Sequence, residues 1–373
     1  MKDFNYWKKL HETEHLEEFS KDSVGLLWLK VKSIVRKELI TEFAKDYDIE
    51  LAETSLSKQF VELFNLLSSN SIDESHQKLN DYIRKTNLSQ LQNLDTQQLV
   101  SELYKLRNFD WGGDYQNALD KYLVSRYVKV LKSYDTLMSK FETEINVAVQ
   151  GYVLNSWYNH WSSILIEHIF KSHNAVLPTV GQIKSVDFFI NDIPFDLKVT
   201  YLPAEYIKER RAEKKLPVEL TFLKAKAREA KIYFDKDAKP NEIYYEITEK
   251  MKDKGDEFCL AVLDTIKSEK LEILNEVQEN PKILSKWLYE NQGDMRFGSE
   301  NRLFLVLVDT NDFSNSWKLK RDLALLEPTI FDYLNNFQYD SSNADELLIQ
   351  YNFPKTSQTE YQSLADIIFV VKT

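Results

Sequence analysis

Asp187, Asp196 and Lys198 are the residues whose types and spacing could do chemistry; they lie in the stretch IKSVDFFINDIPFDLKVTY, residues 183 to 201. Asn191-Asp192 reads as a two-residue turn between two apolar strands. That turn pairs Ile190 with Ile193 and sets Asp187 opposite Asp196, with Cβ atoms roughly 4.5–5.5 Å apart on one face. Like charges so placed repel, and burying them without a counter-charge costs more still. Something must offset them. An all-oxygen donor pair suits a hard divalent cation such as Mg²⁺, which keeps several waters and takes few protein carboxylates. Lys198 shares the face of Asp196, so it is placed to neutralise part of the charge and to orient a water. Paired acids, a hard cation and a positioned water suit phosphodiester hydrolysis.

The elements that must position these residues follow from hydrophobic periodicity. The second strand alternates, with Phe195, Leu197, Val199 and Tyr201 on one face and Asp196, Lys198 and Thr200 on the other. Ahead of the hairpin, a long helix from about Val149 to His173 carries an apolar stripe of Val153, Trp157, Ile164, Leu165 and Ile169. Pro178-Thr179-Val180-Gly181 reads as a loop, and residues 203–232 as a charged helical region. Two continuous apolar runs, Phe258 to Leu263 and Leu303 to Val308, predict buried central strands, closed by Asp264 and Asp309. Ile367 to Val371 is a further candidate strand. Up to about residue 145 the sequence reads as helix after helix, with apolar steps such as Phe60, Leu63, Phe64, Leu67 and Leu99, Leu103, Leu106. Asp95 or Thr96 caps one of these helices, and Gly112-Gly113 marks a turn. The expected organisation is an all-α N-terminal domain, residues 1–145, serving recognition, dimerisation or partner docking, followed by an α/β domain, residues 146–373, that holds the chemistry.

A helix glutamate, an aspartate at a strand end and an Asp-x-Lys on the next strand resemble the PD-(D/E)XK nuclease superfamily, the restriction-endonuclease-like fold. The resemblance covers about 35 residues, from Glu167 to Tyr201. On it, Asp187 matches the first acid, Asp196 with Lys198 the acid–lysine pair, and Glu167, in IEHIF, the helix acid. It implies a central mixed sheet flanked by helices and one or two Mg²⁺ held by Asp187, Asp196 and Glu167. It also implies that Lys198 orients or activates the attacking water. The residue before Asp187 is Val186 and not the proline of the family pattern. Context carries the match, since Glu213-Lys214-Lys215 and Asp237-Ala238-Lys239 also fit Asp/Glu-x-Lys but do not lie on an alternating strand with an acid opposite. The plainer reading is an exposed hairpin on which Lys198 bridges two surface aspartates, with Glu167 a solvated helix residue.

The remaining residues exclude more than they propose. His160, His168 and His173 have no compact helical metal spacing. There is no glycine-rich phosphate loop, and the single cysteine, Cys259, excludes an internal disulfide and a multi-cysteine zinc site. The first residues lack the pattern of a signal peptide, and no apolar run is long enough to span a bilayer, so the expected location is cytoplasmic. The net charge of −11 weighs against a nucleic-acid partner only if no local excess exists. Residues 205–231 hold nine Lys or Arg against five Glu, as suited to a solvated helix with pairs such as Glu205–Lys208 as to a DNA groove. The sequence reading is therefore a Mg²⁺-dependent endonuclease acting on double-stranded DNA, of the type II restriction or related bacterial defence kind. A homodimer would supply two active sites. The alternative is a partner- or signal-binding subunit that keeps the fold without stand-alone cleavage.

Overall fold

The computed structural model describes residues 2–109, 119–291, 300–353 and 359–373, apart from the side chain of Gln182. Gly112-Gly113 lies outside these residues. Six strands form one mixed sheet: β1 (Val176–Ile183), β2 (Val186–Ile190), β3 (Ile193–Tyr201), β4 (Arg302–Asp309), β5 (Leu348–Asn352) and β6 (Glu360–Lys372), in the order β1-β2-β3-β4-β6-β5. β1, β2 and β3 form an antiparallel meander, β3, β4 and β6 are mutually parallel, and β5 returns antiparallel on β6. Helices cover both faces, so the chain is an α/β protein.

Strand β4 shows why a continuous apolar run is needed at the centre. Leu303, Leu305 and Leu307 enter one core with Ile166, Ile169 and Phe170 of the Asn146–Ser172 helix. Phe304, Val306 and Val308 enter a second core on the other face with Leu284, Leu288 and Tyr289 of the Pro281–Asn291 helix. A strand buried on both faces has no polar side, which is the pattern the sequence carries. In β3 only one side is apolar: Phe195 and Leu197 join the first of these cores, with Val199 and Tyr201 packed against it.

Two sequence expectations are overturned. Phe258 to Leu263 is not a strand but the start of the Glu257–Glu279 helix, capped by Asp256, whose carboxylate accepts from the Cys259 backbone N–H at 2.8 Å. The helical period is carried by Cys259, Val262 and Ile266, while Phe258 and Leu260 in the same run are 41% and 46% exposed. The short apolar run hid a longer amphipathic one. Pro178-Thr179-Val180-Gly181 is likewise not a loop but part of β1. Proline is tolerated there because β1 is an edge strand, and its register shifts between Pro178 and Ile183. Gly181 is required by contact: a Cβ there would meet the Ser33 carbonyl at 2.3 Å. The strand pair expected from residue 183 accordingly begins at Val186, after a turn through Ser185, whose φ is 69°.

The N-terminal helices build their own core and share it with the sheet. Trp28, Leu63, Phe64 and Ile83 cluster with Leu177, Val180, Val186 and Phe189 of β1 and β2. An ion pair between a buried lysine and an exposed aspartate fixes this packing. Lys30, 0% exposed on the Ser23–Ser33 helix, donates to Asp192 in the β2–β3 turn at 2.8 Å. Its amine also meets His76 Nδ1 at 3.2 Å, while His76 Nε2 lies 2.9 Å from the Ser23 carbonyl. The carbonyl takes the Nε2 proton, which leaves Nδ1 as the acceptor for Lys30. Among the described residues no helix is long and apolar enough to cross a membrane.

Removing Asp192 strands the buried charge of Lys30, whereas an apolar isostere of Lys30 leaves only an exposed carboxylate in water. Asp192→Asn, which keeps a residue tolerant of the positive φ of 65° at that position, is expected to lower stability by about 1–3 kcal/mol. Lys30→Met should cost less. Urea unfolding midpoints of both variants decide this, and a larger loss for Lys30→Met would refute the account.

Candidate functional site

The β2–β3 hairpin is built as its pattern requires. Asn191 and Asp192 both take positive φ, 45° and 65°, and the pairs Ile190–Ile193, Phe189–Pro194 and Phe188–Phe195 hold the expected register. The ladder then stops. Continued, it would give the Leu197 N–H to the Val186 carbonyl; instead Leu197 donates to Asp187 Oδ2 at 2.8 Å. The Asp196 N–H turns the other way, to the Asn301 carbonyl at 2.9 Å, where β4 begins. Asp187 and Asp196 therefore sit at the point where β2 and β3 part, next in register but just beyond the last pair. The opposition expected from the sequence falls one pair outside the ladder.

The electrostatics of this gap are those of crowded acids. Burial, and after it the charges of Asp196 and Glu167, push the Asp187 carboxyl up to about 6. Burial also raises the Asp196 carboxyl, against the opposing pull of Lys198. The Lys198 ammonium lies 2.9 Å from Asp196 Oδ1 as a hydrogen-bond donor and 2.8 Å from Oδ2. Oδ2, buried, takes no aligned hydrogen bond, although Arg302 Nε is also 3.6 Å away. Glu167 bears on Asp187 through its charge, while its own carboxylate is engaged by Lys171 at 2.8 Å. The structure thus brings Asp187, Asp196 and Lys198 together and holds Glu167 at their margin.

Sequence reasoning missed Glu300 and Arg302. Both are buried at the entry to β4. Arg302 is 0% exposed, lies over the Tyr289 ring at 5.1 Å and bonds Glu300 Oε2 at 2.8 Å. Glu300 in turn accepts from the Ser185 hydroxyl in the turn before β2. Arg302 is the register partner of Asp196 on β4, so it supplies a second positive charge beside that carboxylate. A charged pair directly ahead of a wholly apolar strand was the available signal.

The donor chemistry fits a hard cation: a buried carboxylate beside a half-buried one, an oxygen without an aligned donor, and repulsion that a positive ion relieves. Asp187 and Asp196 are the residues that could hold it. Among the described residues no group of three or more His, Cys, Asp and Glu is arranged to hold a metal ion. The set is therefore two carboxylates, with Glu167 turned to Lys171. Much of the basic charge of segment 205–231 is paired, with Lys208 on Glu205 at 3.1 Å and, from the Glu257–Glu279 helix, Glu276 on Lys214 at 2.7 Å and Glu269 on Arg211. His160 and His173 make ring contacts with Trp161 and Phe331, and Cys259 is core. No family model, curated protein or solved structure matches this chain.

A carboxyl raised on folding carries a stability penalty that is absent below its unfolded pKa and complete above its folded one. For Asp187 that window runs up to about pH 6. Asp187→Asn, which can keep the acceptor for Leu197, is therefore expected to stabilise the metal-free chain at pH 8 by on the order of 2 kcal/mol. The gain should vanish towards pH 4. Thermal melts across this range in EDTA test it, and an equal gain at both ends would show that ionisation is not the cause.

Proposed function

We propose that this chain is a Mg²⁺-dependent nuclease that hydrolyses DNA phosphodiester bonds, of the restriction or bacterial defence kind. The carrying observation is the pair of charge-strained carboxylates, half-buried Asp187 and buried Asp196, at the divergence of β2 and β3, with the Lys198 ammonium on Asp196. The chain order supports kinship with the PD-(D/E)XK superfamily: a long helix bearing Glu167, an antiparallel three-strand meander, a helical insertion, then a strand parallel to β3. In this reading Asp187 and Asp196 hold Mg²⁺, with Glu167 a third acid once released from Lys171. When bound, the cation supplies positive charge to the phosphate and makes nearby water a better nucleophile. Lys198 opposes the upward push of burial on the Asp196 carboxyl, holds its carboxylate in place and presents an N–H to a water or phosphate oxygen. Arg302 and Glu300 fix the position of Asp196 from behind. Asp187 must shed its proton before it serves, so cation affinity falls as the pH drops through about 6. Cutting both strands of a duplex calls for two such sites, hence a homodimer.

A second reading is favoured by the Glu167–Lys171 pair and the two-carboxylate donor set. In it the chain is a partner- or signal-binding subunit that keeps the nuclease fold without cleaving by itself.

Incubation with supercoiled plasmid and Mg²⁺ should give nicked or linear product, and none in EDTA. Asp196→Asn and Lys198→Ala, each melting close to the wild type, should slow cleavage by at least about 100-fold. Undiminished cleavage by both variants would sink the site. Failure of the wild type on DNA and RNA alike would favour the binding subunit.

A further inference from the structure

The N-terminal helices contain a second concavity. A cleft of about 1150 Å³ opens among the Phe4–Glu12, Ser23–Ser33 and Leu56–Ser69 helices and the turn at Lys184. Its volume is ample for a mononucleotide-sized ligand, since small-molecule sites span roughly 300–1,000 Å³. One wall is aromatic: Phe4 meets Phe60 edge-on at 4.8 Å, and Trp28 lies 5.0 Å from Phe60. Trp28 and Phe60 are 1% and 8% exposed and belong to the core, so the half-buried Phe4 is the ring that this wall leaves open to the cleft.

The charges beside that wall are unevenly matched. The Lys32 ammonium lies over the Trp28 and Phe60 rings at 5.4 and 5.7 Å, and among the described residues no carboxylate reaches it at ion-pair distance. Burial pushes this amine below its ordinary range, and Glu12 opposes the shift only at a distance. The acids of the cleft are engaged elsewhere. Glu62 accepts from the backbone N–H groups of Ala52 and Glu53 at 2.8 and 3.0 Å, and Glu53 pairs with Lys58 at 3.3 Å. Lys8 and Lys184 also line the cleft, each facing an acid, Glu12 at 3.8 Å and Glu14 at 2.7 Å. An aromatic wall with a desolvated cation set against it complements a planar ring that carries an anion. Stacking contributes about 1–3 kcal/mol per base, and the ammonium is a point charge for phosphate.

We propose that this cleft binds a nucleotide, with the base against the open Phe4 side of the Phe4–Phe60 wall and its phosphate on Lys32. The nucleotide is either free or one unit of a single strand. The site is separate from the Asp187–Asp196 pair and does not rest on the hydrolytic reading. It does share a turn with it, because Lys184 stands three residues ahead of Asp187.

Calorimetric titration of the full chain in EDTA, where no cleavage occurs, tests this with AMP, ATP, the oligonucleotide (dA)8 and inorganic tripolyphosphate. At least one base-containing probe should bind with Kd below ~0.1 mM. Tripolyphosphate should bind at least about tenfold more weakly, and Lys32→Gln and Phe60→Leu should each weaken the base-containing probe about tenfold. Lys208→Gln, exposed and distant in sequence, should leave binding unchanged. Tighter binding of AMP or ATP than of (dA)8 assigns a free nucleotide, and the reverse assigns a strand. Should Phe60→Leu fold poorly, Lys32→Gln decides. Absence of binding by every base-containing probe at 1 mM, tripolyphosphate binding as tightly as ATP, or indifference to Lys32→Gln would overturn the proposal.

Discussion

Strand β3 takes its first hydrogen bonds from β2, antiparallel, and its later ones from β4, parallel, and much of the molecule is arranged around that change of partner. Pro194 has no N–H to offer, and it stands where β4 has not yet arrived. Asn301 closes the gap, donating to the Pro194 carbonyl, accepting from Asp196 through its backbone and from Leu364 through its side chain. Where β2 leaves β3, one backbone donor is orphaned, and Asp187 satisfies it. An aspartate at that point is required by the splay as much as by any chemistry. It becomes chemically interesting because the adjacent residue to face the same gap is also an aspartate.

Charge is managed by depth. At the surface, pairs such as Glu205–Lys208 are solvated and contribute little. Around Asp196, Lys198 and Arg302 supply positive charge, Glu300 ties Arg302 to the turn before β2, and the remaining imbalance falls on Asp187. A network so placed holds an acid in a state that solvent alone would not give it.

The hairpin was legible in the sequence because local chemistry fixes it. Asn191-Asp192 accepts positive φ, and strict alternation from Phe195 to Tyr201 assigns faces whatever the neighbours are. The run at β4 was equally plain. What was not legible depended on distant contacts. Phe258 to Leu263 looked like a strand because its exposed Phe258 and Leu260 are as apolar as its buried Cys259 and Val262, and only the surrounding helices decide which face is covered. Pro178 and Gly181 are loop residues by propensity, yet an edge strand tolerates the first and the backbone of Ser33 demands the second. Arg302 and Glu300 stand out only as charges ahead of an apolar strand; their significance lies in Asp196 and Ser185, more than 100 residues earlier.

Strands β1 and β2 face two cores at once, Phe188 and Ile190 on one side and Val186 and Phe189 on the other. The N-terminal helices are thus not a detachable cassette: cutting the chain near residue 145 would bare a sheet face and leave Asp192 without its lysine. The Glu219–Glu229 and Pro240–Lys254 helices, with the first turns of the Glu257–Glu279 helix, differ, because Leu223, Ile247, Met251 and Val262 form a core of their own. If lineages of this fold exchange or resize parts, that insertion is where the chain can be edited without disturbing the hairpin, while the amino-terminal half is bound to inherit and diverge together with the sheet it covers.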